Sequence, residues 1–380
     1  MSVQCLLISP QADKGVKPAG GEDTYTKMLL RYPPPGTEYV FYKDLLREGK
    51  AIRMWFGPKV LVRLSRLGLF SPDTWLEFFD TDLSFDLVHV HGYSVWFSKR
   101  FRLELKRRGT PVVMSTSSSN AYELLGYLGW SEKRVRLAFA VKGAIFRFLD
   151  IYDHHVNFPE GSVELVWSQF AKGLHESWAS PKKTAVIPPP VELPPLQSGR
   201  HSGRCKLLFV GGDFERKGGH ILLDAYREAR QVIPDIELLV VGPPELALRE
   251  PITGVRYIPW VSQEQLHEEI FPEADVFILP SHAEGYGLSV LEAMAHAIPV
   301  IVSSVGALPE IVRERVDGYL VPPAEVAPLR DAILALASSP EARATMGQHA
   351  RSRVQQDFSI EAFRARLGSL YRSVLDKPMS

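Results

Sequence analysis

Across 380 residues there are only two cysteines, Cys5 and Cys205. Each lies in an apolar, strand-like run, which points to buried free thiols rather than a disulfide or a thiolate metal site. A reducing cytoplasm is the compartment that fits them. No apolar run approaches the ~20 residues needed to span a bilayer, and Met1 to Pro10 lacks the basic start and cleavage site of a secretory signal. The expectation is a chain that neither spans a membrane nor is exported by that route. Clusters of His, Cys, Asp and Glu with metal-ligand spacing are missing, as are tandem repeats and low-complexity tracts. So is the G-x-G-x-x-G pattern, and its absence argues against a nicotinamide-dependent oxidoreductase.

Net charge is absent too, since 44 Lys and Arg balance 44 Asp and Glu. The balance is not uniform: residues 1–190 hold 25 basic against 19 acidic side chains, and the remainder reverses this. A basic first half suits an acidic acceptor or peripheral contact with an anionic membrane surface, although a solvated charged face accounts for most such residues. No nucleic-acid partner is indicated. What the chain does hold is 45% hydrophobic and 23% charged residues, the composition of an ordinary globular protein. Its length exceeds what one hydrophobic core usually serves, so two domains are expected.

The stretch Pro280 to Ser304, PSHAEGYGLSVLEAMAHAIPVIVSS, organises the rest. Val276 to Leu279 before it reads as a buried parallel strand, Leu288 to Ala297 as an amphipathic helix, and Val300 to Val302 as the next strand. The turn Glu284-Gly285-Tyr286-Gly287 sets two glycines where backbone must come close to a ligand. The helix start at Leu288 turns unpaired N–H groups and its positive dipole end to the same place, so an anion is expected there. Glu284 and Glu292 would stand about 12 Å apart along the axis were both helical, roughly the reach of a sugar-nucleotide. Acidic residues near a helix start are also ordinary dipole partners. The whole stretch resembles the donor-site signature of the family 4 retaining glycosyltransferases of GT-B fold, and the likeness continues through Val305 to Val321.

In the first half, a strand from Val3 to Ser9, a loop with Gly20-Gly21 and a helix from Thr24 to Arg31 open a doubly wound α/β sheet. Asp86 to His91, Pro111 to Met114 and Glu164 to Ser168 read as further strands, the last of them the final strand candidate of this half, with Met54 to Phe70 and Phe101 to Arg108 as helices; Lys183 to Ile187 then runs into Pro188-Pro189-Pro190. His89 and His91 share one strand face, where a structural role and a ligand contact at the strand's carboxyl end both stand as readings. Asp80-Thr81-Asp82 spells the D-x-D of a different glycosyltransferase fold but reads as punctuation before a strand. Leu124 to Phe148 interleaves Lys133, Arg134, Arg136, Lys142 and Arg147 with apolar residues, as in a helix that packs on its own domain or lays a basic side on anionic lipid.

In the second half, Lys206 to Val210 is a strand and Gly211 to Gly219 a Gly-rich loop. Its Arg216-Lys217 pair suits either a diphosphate clamp or a solvated basic loop. A helix from Ile221 to Arg230, strands Ile236 to Val241 and Val255 to Ile258, and helices Pro328 to Ala337, Pro340 to Arg353 and Ile360 to Leu375 complete the pattern.

The resemblance is strong over Lys206 to Leu375 and weak before it. It implies α/β architecture with two Rossmann-like domains, residues 1–190 and 204–358, facing across a cleft, and a C-terminal helix at 359–380 returning to the first. It implies a retaining transfer, without cofactor or metal, from a UDP-, GDP- or ADP-sugar to a hydroxyl of a glycan, lipid-linked or small-molecule acceptor, in the synthesis of glycans, glycolipids or surface polysaccharide. By likeness, Glu284 would hold hydroxyls of the donor sugar and Glu292 the ribose. Lys217 would bind the diphosphate, with Arg216 standing in for an arginine that the family often carries at the position of Gly212. Gly285, Tyr286, Gly287 and Leu288 would contribute at the donor phosphates, Gly20 and Gly21 would approach the donor or acceptor, and Val261 would lie beside the base. A histidine common in the family falls on Ser117, a departure, with His91 as the fallback sugar or acceptor contact. Ser117 also reads as part of a helix cap, and the departure keeps open a non-catalytic member that binds a nucleotide-sugar or a partner enzyme.

Overall fold

Apolar strands in each half build a parallel sheet, in a computed structural model that describes residues 2–9, 21–54, 76–92, 94–159, 161–178, 183–196, 204–242 and 251–376. The chain divides into two units, Met1–Pro190 with Glu361–Ser380, and Val191–Ile360.

In the first unit six strands run in the spatial order Thr37–Phe41, Val3–Ile8, Leu87–His91, Val112–Thr116, Val163–Val166, Thr184–Val186, every neighbouring pair parallel. Central strands are buried over most or all of their length, Leu6 and Leu7 as fully as Val88 and Val90, as in parallel sheets whose two faces are covered; that is why they read as continuous apolar runs rather than alternating ones. A second sheet of Ala51–Met54, Leu76–Thr81 and Ser94–Phe97 stands beside this one. Met54 closes a strand, so the helix expected from Met54 to Phe70 does not start there, and residues 55–70 of it lie outside the described residues. Asp80 lies in the strand Leu76–Thr81 and Asp82 just past it, ahead of Leu87–His91, and both pair with Arg100, Asp80 at 3.0 Å. One arginine thus offsets half of the motif's two negative charges.

The single helix expected over Leu124 to Phe148 is broken. A wide turn at Glu123–Tyr127 ends the first piece, and Ser131 caps a new helix, Glu132–Leu149, by accepting the N–H of Arg134. Lys142 is no part of a basic surface. It is 3% exposed and pairs with the equally buried Asp153 at 2.8 Å. The last helix, Ile360–Leu375, buries Phe363, Leu367 and Tyr371. Phe363 meets Tyr25 edge-on, and the Tyr371 hydroxyl bonds the Tyr39 hydroxyl at 2.8 Å and His89 Nδ1 at 2.5 Å.

In the second unit the order is Val255–Pro259, Glu237–Gly242, Lys206–Val210, Val276–Leu279, Val300–Ser303, Gly318–Val321, again all parallel. The helix after Val276–Leu279 spans Leu288–Ala295 and is not amphipathic: Val290 through Ala295 are all buried. Its outer side is roofed by the helix Pro340–Asp357, whose Gly347 lies so close to the Ala297 carbonyl that a methyl group there would stand 2.1 Å from the oxygen. Cys5 and Cys205 are buried free thiols, and burial pushes the Cys205 thiol up to about 12. Among the described residues no helix is long and apolar enough to cross a membrane.

Candidate functional site

Doubly wound sheets bind ligands where neighbouring strands lead their connections in opposite directions, at the strands' carboxyl ends. In the second unit that point lies between Lys206–Val210 and Val276–Leu279. The loops leaving those two strands are Gly211–Gly218 and Pro280–Gly287. Residues far apart in sequence are therefore delivered to one place by topology alone.

Bare glycines shape the first loop. A methyl group on Gly211 would stand 2.4 Å from Lys217 Cδ, and one on Gly212 would stand 2.3 Å from the Trp260 ring. The lysine stem lies across Gly211 and the indole across Gly212. At Gly218, with φ +74°, a methyl group would meet the Pro280 carbonyl oxygen at 2.0 Å, so the two loops touch backbone to side. The main chain also joins them, His282 donating to the Arg216 carbonyl at 2.8 Å.

Arg216 is the bolt between the loops. Its Nε donates to Asp213 at 3.0 Å and its Nη1 to the Ala283 carbonyl at 2.8 Å, with Glu284 Oε2 at 3.4 Å. The guanidinium is thus held by its own neighbours and positions the Glu284 carboxylate, which also accepts from Ser281 Oγ at 3.4 Å and is 9% exposed. Lys217 differs. Half-buried, it has no carboxylate within ion-pair distance among the described residues. The sequence set the two cations side by side; the structure gives them different surroundings.

Gly285 and Tyr286 are buried, Leu288 is half-buried, and Gly287 takes φ 99° as the residue preceding the helix. No side chain caps that helix start, so its first N–H groups and dipole favour an anion in the way the sequence suggests. Glu284 precedes the helix and Glu292 lies within it. Glu292 is 5% exposed, and among the described residues the basic side chain within ion-pair distance of it is His267, Nε2 at 3.9 Å. His267 in turn stacks on His296, Nδ1 to Nε2 at 3.0 Å. A buried carboxylate with so little compensation is primed to take hydrogen bonds from hydroxyl groups. Sequence reading missed His267, since no spacing links it to residues 292 and 296. Val261 is half-buried next to Trp260, which is 43% exposed.

The first-unit candidates are more scattered in role. Gly20 lies outside the described residues, and Gly21 is the exposed first residue of the helix Gly21–Arg31. His91 is fully buried, 4.5 Å from the Tyr25 ring and stacked on Trp167 at 5.6 Å, with Nδ1 at 2.8 Å from Ser115 Oγ. His89 shares that hydroxyl, also at 2.8 Å, and burial holds its imidazole down to about 3. His89 has both ring nitrogens bonded, to Tyr371 and Ser115, as a structural residue would. Ser117 is half-buried on a loop pinned at both ends: Ser119 Oγ accepts the Tyr122 N–H, and the Ser118 carbonyl accepts from Thr116 Oγ1 at 2.9 Å and His175 Nε2 at 3.1 Å. Cap chemistry within the run Ser117 to Asn120 is thus seen at Ser119. His175 is itself backed by the buried Glu164, Nδ1 to Oε1 at 2.7 Å, a pair that the sequence did not reveal.

Residues 204–339 match the family model described as glycosyl transferases group 1. The chain is 31% identical over 218 residues to the D-inositol 3-phosphate glycosyltransferase of Segniliparus rotundus, covering 52% of this chain and 48% of that protein. It is 30% identical over 289 residues to the protein of the same name from Arthrobacter sp., covering 71% and 66%. The chain thus spans less than two thirds of the length of these relatives. Its fold is GT-B: an Anabaena protein solved with UDP and glucose superposes over 98% of this chain and 100% of its own, with a TM-score of 0.64 at 14% identity.

Proposed function

We propose that this chain, whose residues 204–339 belong to the glycosyl transferases group 1, moves a sugar from a nucleoside-diphosphate sugar to an acceptor hydroxyl. The observation that carries the reading is the junction at the switch point of the second sheet. There a lysine with no carboxylate partner among the described residues, an uncapped helix start and a positioned carboxylate sit on two interlocked loops. As the bond from the anomeric carbon to the β-phosphate oxygen breaks, charge grows on the diphosphate. Lys217 and the N–H groups at Gly287 and Leu288 answer that charge without rearranging. Glu284, fixed by Arg216, accepts hydrogen bonds from the sugar's hydroxyls, and Glu292 does the same for the ribose. We infer retention: the departing phosphate oxygen takes the acceptor's proton while the acceptor oxygen bonds to the anomeric carbon on the same face.

Incubating the protein with UDP-, GDP- and ADP-sugars and measuring released nucleoside diphosphate tests the reading. Acceptor-dependent release from one donor is the expected result. A donor that binds and is never turned over would instead favour the non-catalytic nucleotide-sugar binder. Because a cationic side chain and a helix start carry the charge in this account, turnover is expected to survive excess EDTA; its loss, with rescue by Mg²⁺ or Mn²⁺, would overturn the account. Ser117→Ala is expected to lower the rate about fivefold, the effect of losing one neutral hydrogen bond worth about 1 kcal/mol. A rate equal to wild type would remove Ser117 from the site.

A further inference from the structure

The helix Glu132–Leu149 turns an apolar stripe outward. Leu137 is 67% exposed, Val141 39% and Phe148 88%, with exposed Ala140 and Ala144 between them. At ~100° per residue these five positions fall within an arc of about 100°, opposite the face on which Val135, Ala138, Lys142 and Phe146 are buried. Single exposed apolar residues need no explanation, but a continuous stripe along a helix does.

The surroundings of the stripe are cationic. Lys133 lies within it at the amino end, Arg134 borders it on one side and Arg147 on the other, all three exposed. Arg136 is tied to Glu132 at 2.6 Å, and Arg134 lies over the Trp130 ring. Lys133 and Arg147 have no carboxylate partner within ion-pair distance among the described residues. Along the Arg147 edge runs a groove of about 480 Å³ that shares Ala140 and Arg147 with the stripe and reaches Gly143, His155, Ser177 and Trp178. An apolar ridge edged by unpaired cations, with a polar groove beside it, matches the boundary of an anionic bilayer, where acyl chains meet phosphate.

We propose that the outward face of Glu132–Leu149 docks the protein on an anionic phospholipid surface, with Leu137, Val141 and Phe148 entering the acyl boundary and Lys133 and Arg147 meeting lipid phosphates. The docking face is separate from the donor site and does not depend on the transfer reaction. Its test is read without activity.

Full-length protein is mixed with sedimentable vesicles of phosphatidylcholine alone or with 30 mol% phosphatidylserine, about 30% being the probe composition chosen to give a strong surface potential. Co-sedimentation with the anionic vesicles, weakened by salt, is expected. Leu137→Ser and Phe148→Ser should each lower the partition at least about tenfold, and Lys133→Ser and Arg147→Ser about fivefold each. These side chains are exposed, so folding of the variants is checked by circular dichroism. Equal partition of wild type and the Leu137→Ser/Phe148→Ser double variant would overturn the proposal, as would no binding to either vesicle. A concentration-dependent dimer that the double variant abolishes would also overturn it, by assigning the face to a second copy of the chain.

Discussion

Glu284→Gln is expected to lower turnover by at least ~100-fold, the scale on which one preorganised polar contact to a developing charge acts. Glutamine keeps the shape of the side chain and one acceptor oxygen but replaces the other with a donor, so sugar hydroxyls that donate to the carboxylate would meet an N–H group instead. The neighbouring cation should stay in place. Arg216 keeps the Asp213 carboxylate and the Ala283 carbonyl, and its contact with Glu284 at 3.4 Å is the longest of the three. A large change in kcat at an unchanged melting temperature therefore reports on the sugar rather than on the loop. Wild-type kcat in the folded variant would remove Glu284 from the chemistry.

How far the sequence made this site visible follows from the physical nature of each signal. The strand-turn-helix at Val276 to Ala295 was legible because its elements are contiguous: a fully apolar run, paired glycines and a helix start all report through local chemistry. The helix Ile360–Leu375 was legible for the same reason, with Phe363, Leu367 and Tyr371 spaced to share one buried face. The stretch Leu288 to Ala297 reads as amphipathic in sequence, yet the helix Pro340–Asp357 covers the side that a local pattern assigns to solvent.

Other errors come from interactions between distant residues. Lys142 looked like one basic residue among five, and only the fold brings Asp153 to it. Thr37–Phe41, with two aromatics and an exposed Glu38, carries too weak a pattern to announce an outer strand. Arg216 and Lys217 are adjacent in sequence and were read as a matched pair. Only the fold adds that Arg216 is held by Asp213, three residues earlier, and by the carbonyl of Ala283 in another loop, while Lys217 has no carboxylate within ion-pair distance among the described residues.

That division gives the second large effect. Lys217→Ala should weaken binding of the nucleoside diphosphate itself by about ten- to a hundredfold, since a charge-assisted hydrogen bond contributes roughly 1.5 to 3 kcal/mol. Removing the stem leaves a gap over Gly211, where a methyl group would already touch Lys217 Cδ, so part of any loss in Lys217→Ala could be packing. Lys217→Met separates the two: it keeps an unbranched apolar stem on the glycine and removes only the charge. Calorimetry with UDP, GDP or ADP, whichever the wild type binds, should show Lys217→Met nearly as weak as Lys217→Ala, with the wild-type advantage shrinking as salt rises. If Lys217→Met binds the diphosphate as tightly as wild type, the ammonium faces solvent and the charge on the departing group is met by the helix start alone.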